Sequence, residues 1–176
     1  MAKLKWQVHH FLMTRNVKGI MRDMIPSLRL SCPKFPRRID MAKQILFIED
    51  EIDFSDGLVI RLSDLPVECF IAPDGDSAIE YLSTREIDLV CLDIMFPAGD
   101  GVFSKIDASK VGLLLLKMIR NGKIENCPSD TPVLILTARS DVQVEQACRR
   151  LNVIDYFNKP EDPEVVLQAI VKYLEL

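Results

Sequence analysis

The stretch "QILFIEDE" (residues 44–51) places four apolar residues directly before three consecutive carboxylates. A short apolar run of this kind predicts a strand that is covered on both faces. The carboxylates that follow it, Glu49, Asp50 and Glu51, repel one another unless something offsets their charge. They have two explanations: the strand surfaces and water solvates them, or a cation binds among them. The ends of the other strands bear on this choice.

Apolar runs alternate with helical patterns along the chain after Met41. The predicted strands are residues 45–48, 67–72, 88–92, 132–136 and 153–157. The predicted helices are residues 53–65, 77–82, 110–122, 140–151 and 162–176. Five strand–helix units in this order predict an α/β fold in which a five-stranded parallel sheet is doubly wound, with helices on both faces.

Polar residues collect at the ends of these strands, where ligands bind in doubly wound sheets. The residues that follow the first, third, fourth and fifth predicted strands are Glu49 and Asp50, Asp93, Thr137, and Lys159. Taken singly, each is explained as a helix cap or a turn residue. Taken together, the carboxylates favour a hard divalent cation. Magnesium is the expected occupant because it needs few protein carboxylates.

Residue types near the helix ends predict where the later helices begin. Ser140 with Gln143 three residues later has the pattern of a capping box. Asp162 followed by Pro163 is typical of a helix start. Gly112 is predicted to begin the third helix, which leaves residues 102–112 as an insertion that either controls partner access or is an idle surface loop. Of these alternatives, we favour the idle loop.

Four motifs in order, "IEDE", "LDIMFPAGDG", "PVLILTA" and "YFNKP", resemble the receiver domain of two-component response regulators. The resemblance covers about residues 43–176 and implies a flavodoxin-like fold. It also implies transfer of a phosphoryl group from a sensor histidine kinase or a histidine phosphotransfer protein. Such a receiver phosphorylates itself and slowly dephosphorylates itself, and it is not a turnover enzyme. It signals by a conformational switch that a downstream partner reads by contact.

The resemblance assigns the phosphoryl group and the metal to particular residues. Asp93 would be the phosphoacceptor. Asp50 and Asp93 would bind Mg²⁺ directly, Glu49 would bind it through water, and the backbone carbonyl of Met95 would complete the protein ligands. Phosphoryl transfer requires cations around the transferred group, so the chemistry agrees with this assignment.

The resemblance also implies how the phosphoryl group is sensed. Lys159 would contact one phosphoryl oxygen, and Thr137 would donate a hydrogen bond to another. Tyr156 would be the switch aromatic, whose ring turns inward when Thr137 moves. The alternative is that Tyr156 is only a core aromatic of an edge strand.

Two other function classes remain open. The first is a phosphohydrolase on a related fold, which is disfavoured because Asp93 is followed by Ile94 and Met95 where a second Asp is expected. The second is a pseudo-receiver that acts purely as a docking module. It is disfavoured because every expected type of site residue is present.

Charge divides the chain into two segments. Residues 1–40 contain nine Lys and Arg and two acidic residues, a net charge of +7, whereas residues 41–176 carry a net charge of −11. We therefore predict a receiver domain at 41–176 and a basic N-terminal extension at 1–40. The extension is either a segment that binds nucleic acid or a membrane surface, or a weak organellar targeting sequence. Alternatively, it is a disordered tail or untranslated sequence upstream of a true start at Met41. The last interpretation is favoured.

The remaining features suggest a stand-alone cytoplasmic receiver. No output domain is recognisable after the receiver motifs. No apolar run approaches the roughly 18 residues of a membrane span, and the N-terminus lacks the apolar stretch of a secretory signal. The five cysteines are odd in number and widely spaced, which indicates reduced thiols rather than disulfides or a zinc site.

Overall fold

The computed structural model describes residues 42–176, so the predictions about the basic extension 1–40 and about its boundary lie outside the described residues. The five strands are β1 (Lys43–Ile48), β2 (Val67–Ala72), β3 (Leu89–Leu92), β4 (Val133–Thr137) and β5 (Asp155–Asn158). They form one sheet in the order β2-β1-β3-β4-β5, and all neighbouring strands are parallel. The predicted five-stranded parallel sheet is confirmed.

Among residues 42–176, five helices follow the five strands and cover both faces of the sheet. They are α1 (Ile52–Leu62), α2 (Gly75–Thr84), α3 (Ala108–Arg120), α4 (Val142–Arg150) and α5 (Pro163–Leu174). Successive strand residues point to opposite faces. Leu46 and Ile48 accordingly pack with α2, α3 and α4, whereas Ile45 and Phe47 pack with α1 and α5. The fold is therefore doubly wound and flavodoxin-like, as predicted.

Aspartate side chains cap the N-termini of four of these helices by accepting hydrogen bonds from backbone N–H groups of the first turn. These N-cap residues are Asp74, Asp107, Asp141 and Asp162. The predicted capping box of Ser140 and Gln143 is wrong, because Asp141 Oδ1 accepts from the Gln143 N–H at 2.8 Å. A carboxylate at the positive end of a helix is a stronger acceptor than a hydroxyl. The predicted start at Asp162 and Pro163 is confirmed.

The connection between β3 and α3 differs from its prediction. The helix begins at Ala108, so Gly112 does not start it and the predicted insertion at 102–112 lies partly inside the helix. Phe103 is fully buried, at 0% exposure. The Asp76 carboxylate in α2 accepts a hydrogen bond from the Gly101 N–H at 2.7 Å. The connection is thus fixed against α2 by a buried side chain and a hydrogen bond.

Gly112 allows α3 to approach the end of β3 closely. A Cβ atom at Gly112 would lie 2.5 Å from the Asp93 carbonyl oxygen and 2.6 Å from the Ile94 Cα atom. The Gly112 N–H donates to the Ile94 carbonyl at 3.2 Å. Both neighbouring atoms belong to the backbone, so a side chain here would displace the helix from Asp93.

The described cysteines agree with the prediction of reduced core thiols. Cys91, Cys127 and Cys148 are buried, Cys69 is partly buried, and all four are unpaired, whereas Cys32 lies outside the described residues. Within residues 42–176, no helix combines the length and the apolar character that crossing a bilayer requires.

Candidate functional site

The strand order places a crevice between the carboxyl ends of β1 and β3. The connections after these two neighbouring strands run to opposite sides of the sheet, which is the arrangement that forms ligand sites in open α/β folds. Glu49 follows β1 and Asp93 follows β3. The Asp93 N–H donates to the Ile48 carbonyl at 3.0 Å, which fixes the two strand ends side by side.

Asp93 is held by hydrogen bonds to both of its carboxylate oxygens. Oδ1 accepts from the backbone N–H groups of Ile94, at 2.5 Å, and Met95, at 3.0 Å. Oδ2 accepts from Lys159 Nζ at 3.0 Å. The residue is only 6% exposed. Its carboxylate therefore has a fixed orientation at the end of β3.

Lys159 brings a positive charge to both strand ends. Its backbone N–H donates to the Thr137 carbonyl at 2.8 Å, and its Nζ donates to Glu49 and Asp93. Burial disfavours the ammonium, but the hydrogen bond to Glu49 and the negative charges of Asp93 and Glu49 outweigh burial and raise the pKa of Lys159. The side chain, 7% exposed, therefore stays charged within the site.

The charge of the buried Glu49 carboxylate is less fully balanced by its neighbours than the charge of Lys159 is. It is 4% exposed, and burial raises its pKa, an effect that the hydrogen bond and charge of Lys159 offset only in part. Two buried carboxylates thus share one ammonium, which leaves an excess of negative charge. The ammonium of Lys159 thus lies between Glu49 and Asp93, whereas Asp50 and Glu51, the other two carboxylates after β1, are exposed to water.

The donor groups present suit a magnesium ion. The side chain of Asp50 is exposed, and among residues 42–176 no group of three or more His, Cys, Asp or Glu side chains is arranged as a preformed metal site. Mg²⁺ commonly uses only one or two carboxylates and keeps water or phosphate oxygens as its other ligands. Oxygen donors with uncompensated negative charge therefore fit this ion. The structure brings Glu49, Asp93 and Lys159 into contact and leaves Asp50 at the exposed side.

Thr137 and Tyr156, the two predicted switch residues, both bond the loop after β4. Thr137 is fully buried, and its Oγ1 accepts from the Arg139 N–H at 3.2 Å. Tyr156 is 7% exposed, and its hydroxyl donates to the Arg139 carbonyl at 3.0 Å. Burial and nearby acidic groups raise the pKa of Tyr156 to about 12, so the phenol remains a neutral donor.

Arg139 is the residue of this region that no sequence pattern singled out. Its side chain donates to the Ser109 carbonyl in α3 at 2.8 Å and to the Asp141 carboxylate at 3.2 Å. The one available signal is a long cationic side chain two residues after Thr137. Its main partner is a backbone atom in a distant segment, which leaves no trace in the pattern of residue types.

Comparison with known proteins identifies the family. The family described as response regulator receiver domain matches residues 45–171. The transcriptional regulatory protein DltR of Streptococcus agalactiae is 32% identical over 127 residues, which are 72% of this chain and 50% of DltR. This chain thus spans about half the length of the curated relatives it matches.

Solved structures share the fold. The non-phosphorylated receiver domain of HemR from Leptospira biflexa superposes with a TM-score of 0.62 at 23% identity, covering 76% of this chain and 95% of that one. The receiver domain of the sensor histidine kinase PA1611 from Pseudomonas aeruginosa, with a magnesium ion in its active-site cleft, gives 0.58 at 18% identity, covering 77% and 99%. With the family match, these findings show that the chain belongs to the response regulator receiver domains, the phosphoacceptor modules of two-component signalling.

Proposed function

We propose that Asp93 accepts a phosphoryl group from the phosphohistidine of a sensor histidine kinase or a histidine phosphotransfer protein. A carboxylate oxygen of Asp93 attacks phosphorus, the phosphorus–nitrogen bond breaks, and the imidazole leaves with the electron pair. The observation that carries the proposal is the 3.0 Å contact between Asp93 Oδ2 and Lys159 Nζ. Phosphoryl transfer is accelerated chiefly by positioning and by neutralisation of charge, and this buried contact contributes to both.

The neighbouring side chains would bind the phosphoryl oxygens. Lys159 would move part of its interaction from Asp93 and Glu49 to one oxygen. Thr137 would donate to another, since its Oγ1 already accepts from the Arg139 N–H and its O–H is therefore directed elsewhere. Tyr156 would act as the switch aromatic, which is supported by its bond to the same loop.

Magnesium would be held by residues at the ends of β1 and β3. Asp50 and Asp93 would bind it directly, and the Met95 carbonyl would complete the protein ligands. Glu49, whose carboxylate is already engaged by Lys159, would act through water. When bound, the ion supplies positive charge for the phosphoryl oxygens. The magnesium ion in the cleft of the similar PA1611 receiver supports this assignment.

The phosphorylated receiver would act on a downstream protein by contact. A phosphoryl group adds about two negative charges and new acceptor oxygens, which draw in donors and favour one of two loop conformations. Asp93 would then lose the group slowly by hydrolysis, so the protein would act as a switch and not as a turnover enzyme. Its proposed location is the cytoplasm. If segment 1–40 is functional, it would contact nucleic acid or a membrane.

Incubation with acetyl phosphate and Mg²⁺ separates the three function classes. Intact mass measures the protein-bound phosphoryl group, and a phosphate assay measures turnover. A lasting increase in mass supports the receiver, whereas rapid release of free phosphate indicates a phosphohydrolase. If neither a mass increase nor free phosphate is detected, the protein is a docking module. Phosphohydrolase activity or the absence of both signals would overturn the proposal.

Asp50→Ala is expected to weaken Mg²⁺ binding about tenfold, or about 1.4 kcal/mol. Because Asp50 is exposed, its loss should change the free energy of unfolding by less than about 0.5 kcal/mol. Glu51→Ala is the matched control, since this exposed neighbour has the same charge and makes no side-chain cap to α1. Calorimetric titration with Mg²⁺ and urea unfolding in EDTA measure the two quantities. Equal Mg²⁺ affinity of the two variants would count against the metal assignment.

A chain that starts at Met41 is expected to fold, bind Mg²⁺ and take up phosphate like the full chain. The reason is that the five strands of the receiver sheet and every proposed site residue lie within residues 42–176. Circular dichroism and the acetyl phosphate assay test this, with the full chain as control. If residues 1–40 have a function, their +7 charge should instead give nucleic-acid or anionic-vesicle binding that weakens steeply with salt. An insoluble or inactive shortened chain would refute the expectation.

A further inference from the structure

The main chain of Arg139 connects Thr137 with Tyr156. The Arg139 N–H donates to Thr137 Oγ1 at 3.2 Å, and its carbonyl accepts from the Tyr156 hydroxyl at 3.0 Å. The two predicted switch residues are thus bonded to one peptide segment between β4 and α4. Whatever fixes the backbone of Arg139 therefore fixes both side chains.

The side chain of Arg139 joins this loop to α3. Nη1 donates to the Ser109 carbonyl in the first turn of α3 at 2.8 Å, and Nη2 donates to Asp141 Oδ2 at 3.2 Å. Asp141 also caps α4 through its other oxygen. Hydrogen bonds from a charged donor are stronger than neutral ones, and the planar guanidinium engages two acceptors at once. The loop is therefore held at both helices.

The helix that receives the Arg139 bond also contacts the proposed phosphoacceptor. Gly112, in the first turns of α3, packs directly on the Asp93 and Ile94 backbone, and its N–H donates to the Ile94 carbonyl. The start of α3 is consequently a common support for the end of β3 and for the loop after β4. Arg139 provides the second of these two attachments.

The guanidinium bonds supplement apolar packing between α3 and α4. Buried residues of the two helices, among them Leu115 and Val144, belong to one core cluster. A surface groove of about 360 Å³ lies beside this packing, and Ile94, Leu113, Arg139 and Val144 are among its lining residues. The polar bonds of Arg139 therefore add to the apolar packing at the position of the loop.

We infer that Arg139 is a positioning residue for the phosphoryl site. Its guanidinium holds the β4–α4 loop against α3 and so places the Thr137 hydroxyl and the Tyr156 ring relative to Asp93. This inference rests on the proposed function of Asp93. It adds α3, through the Ser109 carbonyl, to the elements that respond when Thr137 moves.

A double-mutant cycle tests whether Arg139 acts through Thr137. The variants are Arg139→Ala, Thr137→Ala and the double variant in the full chain, and the readout is the rate of phosphoryl uptake from acetyl phosphate by intact mass. Each single change is expected to slow uptake about tenfold, and the double change also about tenfold, because both remove one function. A double variant slowed about a hundredfold shows independent effects and overturns the inference.

Two further variants control for charge and folding. Arg149→Ala removes the same charge beside Tyr156, where its guanidinium lies 5.9 Å from the ring centre, but leaves the Ser109 bond in place. It is expected to take up phosphate at the wild-type rate. Arg139→Lys keeps the positive charge but replaces the planar guanidinium with a compact ammonium. This variant should recover part of the lost uptake rate, to about threefold below the wild-type rate. Equal losses in Arg139→Lys and Arg149→Ala would overturn the inference even if Arg139→Ala failed to fold.

A spectroscopic readout tests the attachment independently of phosphorylation. The chain has three tyrosines, so selective ¹³C labelling of their rings gives three sets of signals, assigned by single Tyr→Phe changes. Without phosphate, the Tyr156 signal should shift toward that of an exposed ring in Arg139→Ala and stay unchanged in Arg150→Ala, which removes an exposed arginine at the end of α4. An unchanged Tyr156 signal in Arg139→Ala would overturn the inference about Arg139 but not the proposed function of Asp93. Failure of the wild-type chain to take up phosphate overturns the proposed function instead.

Discussion

Asp93→Asn is expected to abolish phosphoryl uptake from acetyl phosphate, with a fall in rate of at least about a hundredfold. The amide has nearly the shape of the carboxylate and can still accept from the Ile94 and Met95 N–H groups. It is, however, a far weaker nucleophile, and the neighbouring carboxylate of Glu49, which also accepts from Lys159, lies at the end of β1 and not of β3. Intact mass after incubation with Mg²⁺ measures the effect.

The fold of the Asp93→Asn variant should remain intact. One of two buried carboxylates that share an ammonium is removed, so the excess negative charge of the site falls. Asp100→Asn is the matched control, because it removes an exposed carboxylate from the same β3–α3 connection and should leave uptake unchanged. Phosphoryl uptake by Asp93→Asn at the control's rate would show that another residue is the acceptor.

Lys159→Met is expected to have the largest combined effect on stability and reactivity. It leaves Glu49 and Asp93, only 4% and 6% exposed, without their shared ammonium. Removing one partner of a buried ion pair typically costs about 3–5 kcal/mol of unfolding free energy. Loss of the cation beside the transferred group should also slow phosphoryl uptake about a hundredfold. Urea unfolding in EDTA and intact mass measure the two effects.

The control for this change is Lys172→Met, which removes a lysine from the last turn of α5. It should change both quantities little, because surface substitutions are usually within about 0.5 kcal/mol. If Lys159→Met behaved like Lys172→Met, the contacts of Lys159 with the two carboxylates would not be important in solution.

The sequence predicts the fold and the main contact of the site for the same physical reason. Apolar runs of strand length alternating with helical patterns require a parallel sheet, and the carboxyl ends of parallel strands meet at one edge. Asp93 and Lys159 could therefore be placed together although they are far apart in the chain. That Lys159 itself is the cation beside Glu49 was not predicted, because strand order does not specify which side chains touch.

The wrong predictions concern residues whose function depends on tertiary contacts. The sequence pattern predicts a helix start at Gly112, whereas this glycine is required because α3 lies against the Asp93 backbone. Ser140 and Asp141 both have capping side chains, and the pattern alone did not distinguish them. Arg139 was missed because its partner, the Ser109 carbonyl, is a backbone atom.

Chemical identification of the phosphorylated residue in the wild-type chain tests the central claim most directly. After incubation with acetyl phosphate and Mg²⁺, borohydride reduces an aspartyl phosphate to homoserine, which peptide mass spectrometry locates in the sequence. We predict homoserine at position 93 and at no other aspartate. Homoserine at another position, such as that of Asp50, or a phosphoryl group that resists borohydride, would contradict the assignment of Asp93 as the phosphoacceptor.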